Sequence, residues 1–366
     1  MGHKYSLSSL IPAFLGIMAL CSAQDNDYVL KRAQFEVAPT SIQLSPDGSL
    51  LMAGFDDGSF RLLDLHNYDL SLEVEGAHHK AINAMDMDPR MDFILTAGAN
   101  SIKLWDRSGQ HLAHMNLHAT TIWNAEISSD GAWAISSAVN KTFLLWDLQD
   151  RTLAEKMQAH GDVALAVCFS PDMRFIASGS RDQTIRIWDL ESRQVITQLH
   201  GPTEEVYDLE YSPDGKLLVA TSRDRSTRIY DVQEEKLFRL LKGHTDMVLE
   251  AEFSPDGQYL LTSSSDQSVI LWDVQSGEKI HQFLDNEGAV TDLVFHPDGQ
   301  SFFSISYGRD LTHRALHPRI FVEKYYGREF REELAADPIF QERRKGESKK
   351  DYQTRMTEAR SREEAI

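Results

Sequence analysis

A cluster of three histidines is the first place in the sequence where metal chemistry could occur. His111, His114 and His118 lie within a short stretch, and imidazole is a common ligand of zinc and other transition metals. The surrounding residues alternate as a β-strand does, so residues an even number apart share a face. His111 therefore points away from His114 and His118 unless the strand ends between them. We expect no shared metal site here.

The sequence lacks the compact motifs that mark many active sites. It contains no G-x-S-x-G nucleophile elbow, no glycine-rich phosphate loop and no H-E-x-x-H zinc motif. Asp and Glu are abundant, but most of the aspartates recur with a fixed period, which a repeated fold requires and a single active site does not. The sequence therefore predicts a protein that is not an enzyme, without catalytic, cofactor-binding or metal-binding residues.

The net charge and the cysteine content exclude further classes of partner and of site. The chain has 366 residues, with 37 Lys and Arg against 56 Asp and Glu, which gives a formal net charge of −19. Such a charge repels phosphate backbones, so nucleic acid is not an expected partner. The two cysteines, Cys21 and Cys168, are too few for a disulfide framework or a cysteine-rich zinc site.

The main feature of the sequence is a repeat of 42 residues. Aspartates that follow an apolar or aromatic residue at the end of a β-rich run mark six copies: Asp64, Asp106, Asp147, Asp189, Asp231 and Asp273. Tight-turn signals such as Ser-Pro-Asp-Gly recur in phase, as does a histidine ten residues before the turn. Four short strands per copy form one twisted sheet, which must pack against its neighbours around a ring.

These landmarks resemble those of the WD40-repeat β-propellers. The resemblance implies an all-β, seven-bladed propeller in which a His, a Ser or Thr, an Asp and a Trp of a repeat form a hydrogen-bonded tetrad with a structural role. Two copies carry all four residues: His160, Ser178, Asp182 and Trp188, and His244, Thr262, Asp266 and Trp272. The first and seventh copies depart most, with Phe35 and Asn286 at the histidine position and Ala53 at the serine position. We expect these two blades to be the least rigid.

The repeat divides the chain into three segments. We expect a signal peptide over 1–23, a propeller over 24–317 and a charged C-terminal tail over 318–366, with helices over 328–336 and 348–364. A closing strand near 28–33 resembles the strand that the last blade of such a propeller borrows from the N-terminus. The segment 319–323 competes for the same edge, and one of the two must pair there because an open edge exposes backbone groups.

The N-terminal segment has the features of a secretion signal. The apolar stretch from Leu7 to Leu20 is followed by small residues suited to cleavage after Ala23. A stretch of about 14 apolar residues is shorter than the roughly 20 that a transmembrane helix needs. Cleavage leaves Cys168 as the single thiol, which favours a bacterial periplasm or outer surface. Cys21 is an alternative lipid-anchor site, although the residue before it is not small.

The resemblance also implies a binding face for protein partners. Propellers of this family generally bind on the face that carries the entrance to the first strand and the turn before the third strand. By position, that face should carry aromatic, apolar and arginine residues typical of an interaction hot spot. The candidates are Trp123, Arg181, Tyr207, Arg223, Met247, Leu249 and Tyr307. For Leu249 the alternative is a place in the propeller core.

Two functions compete at this point. The first is a non-enzymatic scaffold for protein–protein contacts in the cell envelope, with no cofactor. The second is a propeller enzyme or small-ligand-binding protein that uses the central channel, and it requires polar or metal-binding side chains that converge at the channel mouth. Fold alone does not choose between them, because propellers have many functions.

Overall fold

The computed structural model describes residues 28–316 together with residues 320 and 321. Within residues 29–315, 28 β-strands form seven four-stranded antiparallel sheets, which are the blades of a propeller. The expected all-β, seven-bladed architecture is therefore confirmed. The signal peptide expected over 1–23 and the two helices expected in the tail lie outside the described residues. In the described part of the chain, no helix is long and apolar enough to cross a membrane.

Each blade runs from an innermost strand to an outermost strand. Blade 1 contains β2 (Pro39–Leu44), β3 (Leu50–Phe55), β4 (Phe60–Asp64) and β5 (Asp69–Val74). Blade 2 contains β6 (Ile82–Met87), β7 (Phe93–Gly98), β8 (Ser101–Asp106) and β9 (His111–Met115). Blade 3 contains β10 (Ile122–Ile127), β11 (Trp133–Ala138), β12 (Thr142–Asp147) and β13 (Thr152–Gln158). Blade 4 contains β14 (Ala164–Phe169), β15 (Phe175–Ser180), β16 (Ile185–Asp189) and β17 (Val195–Leu199).

The remaining blades follow the same order, except that the last one takes its outermost strand from the N-terminal side. Blade 5 contains β18 (Val206–Tyr211), β19 (Leu217–Ser222), β20 (Ser226–Asp231) and β21 (Lys236–Lys242). Blade 6 contains β22 (Val248–Phe253), β23 (Tyr259–Ser264), β24 (Val269–Asp273) and β25 (Lys279–Phe283). Blade 7 contains β26 (Val290–Phe295), β27 (Ser301–Ser306), β28 (Asp310–Ala315) and β1 (Val29–Gln34).

The pairing of β1 with β28 closes the ring. The two strands run antiparallel, with Val29 opposite Arg314 and Gln34 opposite Asp310. This pairing satisfies the backbone groups of an edge that would otherwise be open. Of the competing segment 319–323, residues 320 and 321 are helical, and the others lie outside the described residues.

The tight turns between the first two strands of a blade are built by the repeated Ser-Pro-Asp-Gly sequence. In blade 1, Asp47 Oδ1 accepts a hydrogen bond from the hydroxyl of Ser45 at 2.6 Å. Gly48 has a φ of 70°, and a Cβ there would lie 2.8 Å from Nε2 of His296 in blade 7. Glycine is needed here because the backbone is left-handed and the next blade is close.

The hydrophobic core lies between adjacent blades. The indole of Trp105 packs on the ring of Phe60 in the preceding blade with centroids 5.5 Å apart. Trp188 packs on Phe143 of its preceding blade in the same way, at 5.3 Å. The tryptophan of the repeat therefore fills the space between two sheets, which explains why blades bury their faces only as neighbours in a ring.

Candidate functional site

The complete tetrad of blade 4 forms one chain of hydrogen bonds. The indole N–H of Trp188 donates to Ser178 Oγ at 2.8 Å, and Ser178 Oγ lies 2.8 Å from His160 Nε2. His160 Nδ1 lies 3.2 Å from Asp182 Oδ1. The consistent assignment is that the serine hydroxyl donates to Nε2 and that Nδ1–H donates to the carboxylate. Burial lowers the pKa of His160, so its neutral form fits this chain.

Blade 6 repeats this geometry. Thr262 Oγ1 lies 2.8 Å from His244 Nε2 and accepts the indole N–H of Trp272 at 2.8 Å. His244 Nδ1 is 2.9 Å from Asp266 Oδ2. Burial alone would raise the pKa of Asp266, but hydrogen bonds from His244 and Ser268 hold it below its usual range. These side chains are buried and satisfy one another, so their role is structural.

Blade 7 replaces the tetrad with a buried arginine that the sequence analysis missed. Arg314 stands at the tryptophan position and donates through Nη1 to Ser304 Oγ at 2.6 Å. Its Nη2 donates to Asn286 Oδ1 at 2.8 Å and to Asp285 Oδ1 at 3.0 Å. The signal that could have found it is its spacing, because Arg314 follows Ser304 by ten residues, as Trp188 follows Ser178.

The seven candidate binding residues lie on one rim of the ring. Trp123, Tyr207 and Leu249 each occupy the second position of an innermost strand, and Met247 immediately precedes such a strand. The turn residues lie beside the entrances of the innermost strands of blades 4, 5 and 7. There the backbone N–H groups of Arg181, Arg223 and Tyr307 donate to the carbonyls of Val163, Glu205 and Ala289, at 2.9–3.0 Å. We call the surface formed by these seven residues the rim patch.

Four residues of the rim patch are linked through short contacts. Glu205 Oε1 lies 3.4 Å from Arg181 Nε and 3.5 Å from Arg223 Nη1. The hydroxyl of Tyr207 lies 3.4 Å from the sulfur of Met247. Burial and the neighbouring Glu205 raise the pKa of Tyr207 to about 12, so its phenol stays protonated at neutral pH. One carboxylate shared by two guanidinium groups leaves these three side chains with a net charge of +1.

The other three members of the rim patch are more separate. Trp123 in blade 3 is 44% exposed and Tyr307 in blade 7 is 67% exposed. Leu249 is half-buried, so neither the core alternative nor full exposure describes it. The rim patch therefore has a centre of linked residues on blades 4 to 6. One separate aromatic residue lies on each side of it, Trp123 on blade 3 and Tyr307 on blade 7.

The innermost strands carry a second set of polar residues that the sequence analysis did not single out. Seven carboxyl groups occupy the third or fifth position of these strands: Asp86, Glu126, Asp208, Glu210, Glu250, Glu252 and Asp292. Many accept a backbone N–H from the next blade, as Asp292 Oδ2 does from Ile42 at 2.8 Å and Asp86 Oδ2 does from Ile127 at 2.8 Å. They tie the innermost strands together, and we call them the channel carboxyls.

Burial shifts the titration of the channel carboxyls. It raises the pKa of Asp86 and Asp292 to about 7 and that of Asp208 to about 6. Burial and the neighbouring acids raise the pKa of Glu250 well above its usual range. The lining is therefore partly protonated near neutral pH. Among the described residues, no group of three or more His, Cys, Asp or Glu side chains is arranged to hold a metal ion.

The histidines separate differently from the sequence expectation, which set His111 apart from His114. An irregularity in the pairing of β8 with β9, between Leu104 and Trp105, brings the rings of His111 and His114 together. The ring of His111 packs edge-on against Trp105 at 5.0 Å and lies 6.4 Å from the ring of His114. His118 Nε2 lies 2.7 Å from Ser136 Oγ inside the third blade. His118 is thus buried with its own tetrad serine, apart from the other two histidines.

The fold, the repeated landmarks and the buried tetrads together define a propeller of WD-type repeats. The chain belongs to the WD40 family, because the family model described as "WD domain, G-beta repeat" matches more than half of it. The matched residues are 32–64, 71–106, 109–147, 151–189, 193–231 and 235–273. The residues that the family model matches end at position 273, before the innermost strand of blade 7. In that blade, Asn286 and Arg314 replace the repeat landmarks.

Similar proteins share the repeat over part of their length. The nuclear distribution protein PAC1 of Candida tropicalis is 32% identical over 134 residues, which cover 35% of this chain and 27% of that protein. PAC1 of Candida albicans is 30% identical over 120 residues, covering 31% and 25% of the two chains. The LEC14B protein of Lithospermum erythrorhizon is 29% identical over 116 residues, covering 30% and 24%. The matches span about a quarter of these relatives, which are eukaryotic.

Proposed function

We propose that this propeller is a non-enzymatic scaffold that binds protein partners through the rim patch. The observation that carries the proposal is the pair of exposed guanidinium groups around Glu205. The side chains of Arg181 and Arg223 are 42% and 51% exposed, and contacts of 3.4 Å and longer to one carboxylate hold them only weakly. They remain available to a carboxylate of a partner.

The chemistry of the rim patch indicates how a partner would bind. Arg181 and Arg223 suit an acidic segment, since arginine forms two parallel hydrogen bonds with a carboxylate. Tyr207 and Met247 provide an apolar surface beside them, and an exposed Trp123 offers a further aromatic anchor. We therefore expect an acidic partner segment that also presents an apolar side chain.

A capture experiment with matched variants tests the rim patch. The tagged propeller is used to isolate partners, which are quantified by mass spectrometry for wild type, Trp123→Ala and Arg223→Glu. The control is Arg107→Glu, which makes the same charge change on the opposite rim, in the turn after β8. Loss of the same partner with Trp123→Ala and Arg223→Glu, but not with Arg107→Glu, supports the proposal. Equal capture by all four proteins contradicts it.

We also propose that the protein is exported and acts in the cell envelope or outside it. The apolar stretch from Leu7 to Leu20 and the small residues before Gln24 support export. The eukaryotic relatives give no support to a bacterial location. Export should therefore be tested with the protein produced in a bacterial and in a eukaryotic host. Mass spectrometry of the protein from the medium, the membranes and the cell interior distinguishes the outcomes. A new N-terminus at Gln24 indicates cleavage, and added lipid mass at Cys21 indicates an anchor. Protein found only inside the cell, with an intact N-terminus, contradicts export.

A further inference from the structure

The outermost strand of blade 5 departs from those of the other blades at one position. Every outermost strand has a residue that pairs with the third strand two positions before the landmark tryptophan or its replacement. In six blades this residue is polar or charged: Glu73, His114, Lys156, Gln198, Gln282 and Arg32. In blade 5 it is Leu240, which pairs with Arg228 and is 42% exposed. Blade 5 therefore has an apolar side chain at a place on the outer wall where the other blades are polar.

A second exposed leucine lies on the same side of this strand. Leu237 pairs with Tyr230 and is 48% exposed. Paired residues of neighbouring strands share a face of the sheet, and Tyr230 lies two residues from Arg228, so Leu237 and Leu240 lie on one face. Because Tyr230 packs in the core with Ile187 of blade 4, the two leucines face the side of blade 4.

Strand β21, which carries both leucines, has a free edge and is held in place by blade 6. It ends its sheet, and no strand of the described residues pairs with its outer edge. Phe238 packs against the core between blades 5 and 6, and Arg239 Nε donates to the carbonyl oxygen of Gln275 in blade 6 at 2.9 Å. An edge that is already ordered loses little conformational freedom when another strand pairs with it.

The charge of β21 distinguishes the possible occupants of this edge. The strand carries Lys236, Arg239 and Lys242 and no acidic residue, in a chain whose net charge is −19. Lys242 is exposed, and the side chain of Lys236 is 74% exposed and lies 3.2 Å from Glu234. Antiparallel pairing with β21 of a second copy would set Lys236 opposite Lys242, and like charges directly opposite each other are destabilising. The edge therefore disfavours a second copy and favours an acidic segment.

We propose that β21 pairs with an extended acidic segment of a partner protein, which adds a fifth strand to blade 5. Backbone hydrogen bonds along the free edge hold the added strand, and side chains at alternate positions provide the specificity. Its carboxylates lie beside Lys236 and Lys242, and its apolar side chains pack on Leu237 and Leu240. This surface lies on the outer wall of the ring, apart from the rim patch, and does not depend on the function proposed for the rim patch.

A short peptide tests the proposal on the full chain. It has about seven residues, the length of an ordinary strand, with glutamate at each end, valine at the third and sixth positions and threonine elsewhere. In antiparallel pairing the glutamates then meet the two lysines, and the valines meet the two leucines. Hydrogen–deuterium exchange with mass spectrometry should show at least about threefold slower exchange of the β21 amides when the peptide is bound. Exchange in β13, where Lys156 takes the place of Leu240, should not change.

A second peptide isolates the charge. It has lysine in place of glutamate at each end and is otherwise identical, so it can form the same backbone hydrogen bonds. Titration of the exchange against peptide concentration should show that it binds at least about threefold more weakly than the glutamate peptide, because each exposed ion pair contributes only modestly. Equal or tighter binding of the lysine peptide overturns the choice of an acidic partner.

Leu240→Gln is the decisive variant, because Gln198 and Gln282 show that glutamine fits this place in a blade. It should weaken binding of the glutamate peptide at least about threefold, since an apolar contact is lost. The matched control is Leu70→Gln, which removes a leucine that is 52% exposed on the outermost strand of blade 1, and it should leave binding unchanged.

Several outcomes overturn the proposal. They are unchanged exchange of β21 with the glutamate peptide, equal slowing in β13, and equal binding to wild type and Leu240→Gln. Analytical ultracentrifugation of the protein without peptide tests the other occupant. A dimer whose β21 amides exchange more slowly as the protein concentration rises would place a second copy on this edge, and it would overturn the proposal as well.

Discussion

Asp285 accepts hydrogen bonds from the fully buried guanidinium of Arg314, at 3.0 Å from Nη2 and 3.3 Å from Nε. The other oxygen of the carboxylate lies 2.7 Å from Nη2 of Arg32. Arg32 belongs to β1 and Arg314 to β28, the two strands whose pairing closes the ring. A single carboxylate therefore pairs with one guanidinium group on each side of the closure.

Removal of this carboxylate should destabilise the propeller strongly. Asp285→Ala leaves Arg314 charged and buried without its partner, and breaking a buried ion pair in this way costs about 3–5 kcal/mol. Urea unfolding of wild type and variant measures the change. Glu73→Ala is the control, because it removes the half-exposed partner of Arg61 and should cost about 1 kcal/mol or less. Similar losses of unfolding free energy for the two variants would contradict the role of Asp285 as the partner of a buried charge.

The hydroxyl at the centre of a tetrad should matter more than an exposed hydroxyl. Ser178→Ala leaves the indole N–H of Trp188 and Nε2 of His160 without their shared partner, and an unsatisfied buried group costs about 1–3 kcal/mol. Ser192→Ala removes an exposed hydroxyl that bonds Asp189 in a surface turn and should have a much smaller effect. Chemical unfolding of both variants checks the difference. A loss with Ser178→Ala no greater than with Ser192→Ala would contradict the structural role of the tetrad.

The repeat landmarks predicted the blades because each turn and strand end carries its own local signal. The closing strand was also foreseeable, since residues 28–32 precede Phe35 as an outer strand precedes His244. Arg314 was missed because its meaning depends on Asp285 and Asn286, which meet it only in the folded blade. The expectation that blades 1 and 7 are the least rigid stays a prediction.

The channel carboxyls were beyond sequence reasoning. They occupy alternate positions of the innermost strands, and alternation alone does not tell which face meets the channel. Their backbone partners belong to the next blade, as Ile127 does for Asp86, so the two groups meet only in the folded ring.

The channel carboxyls should make the propeller lose stability as the pH rises. Burial raises the pKa of Asp86 from its ordinary value of 3.8 to about 7. A group whose pKa is higher in the folded state contributes its stability below the unfolded pKa and loses it as the pH rises through the folded pKa. For Asp86 that window runs from pH 3.8 to about 7.

Asp86→Asn removes this loss, because an amide does not need to be deprotonated in the channel. Relative to wild type, the variant should therefore gain on the order of 3 kcal/mol of unfolding free energy between pH 4 and pH 8. Denaturant unfolding at both pH values measures the gain. Asp106→Asn is the control, because hydrogen bonds from Ser108 and Gln110 lower the pKa of this surface-turn aspartate, and the variant should not gain in this direction. A stability difference between wild type and Asp86→Asn that does not depend on pH would contradict the buried titration.

Buried histidines should act in the opposite direction and limit stability in acid. Burial lowers the pKa of His78 and His118 from 6.5 to about 4. Their contribution is present above the unfolded pKa and is lost as the pH falls from 6.5 towards 4. This window overlaps that of the channel carboxyls, so the histidines should offset part of the stability that the carboxyls lose as the pH rises. His118→Asn removes the titration of one histidine, so the stability of wild type relative to this variant should rise between about pH 4 and pH 6.5. Urea unfolding curves at both pH values measure the difference, and a difference that does not depend on pH would contradict the buried titration of His118.

Cys168 should be almost unreactive while the propeller is folded. It lies on the innermost strand of blade 4, and burial together with Glu126, Asp208 and Glu210 raises the pKa of its thiol well above the ordinary value. Alkylation requires the thiolate, which is scarce for such a group at neutral pH. Iodoacetamide labelling of the Cys168 peptide, followed by mass spectrometry, should be at least about 100-fold slower than for a free cysteine, and it should become fast in urea. Rapid labelling without unfolding would contradict this prediction. It would show that the reagent reaches Cys168 and that the thiolate forms beside the neighbouring carboxyl groups.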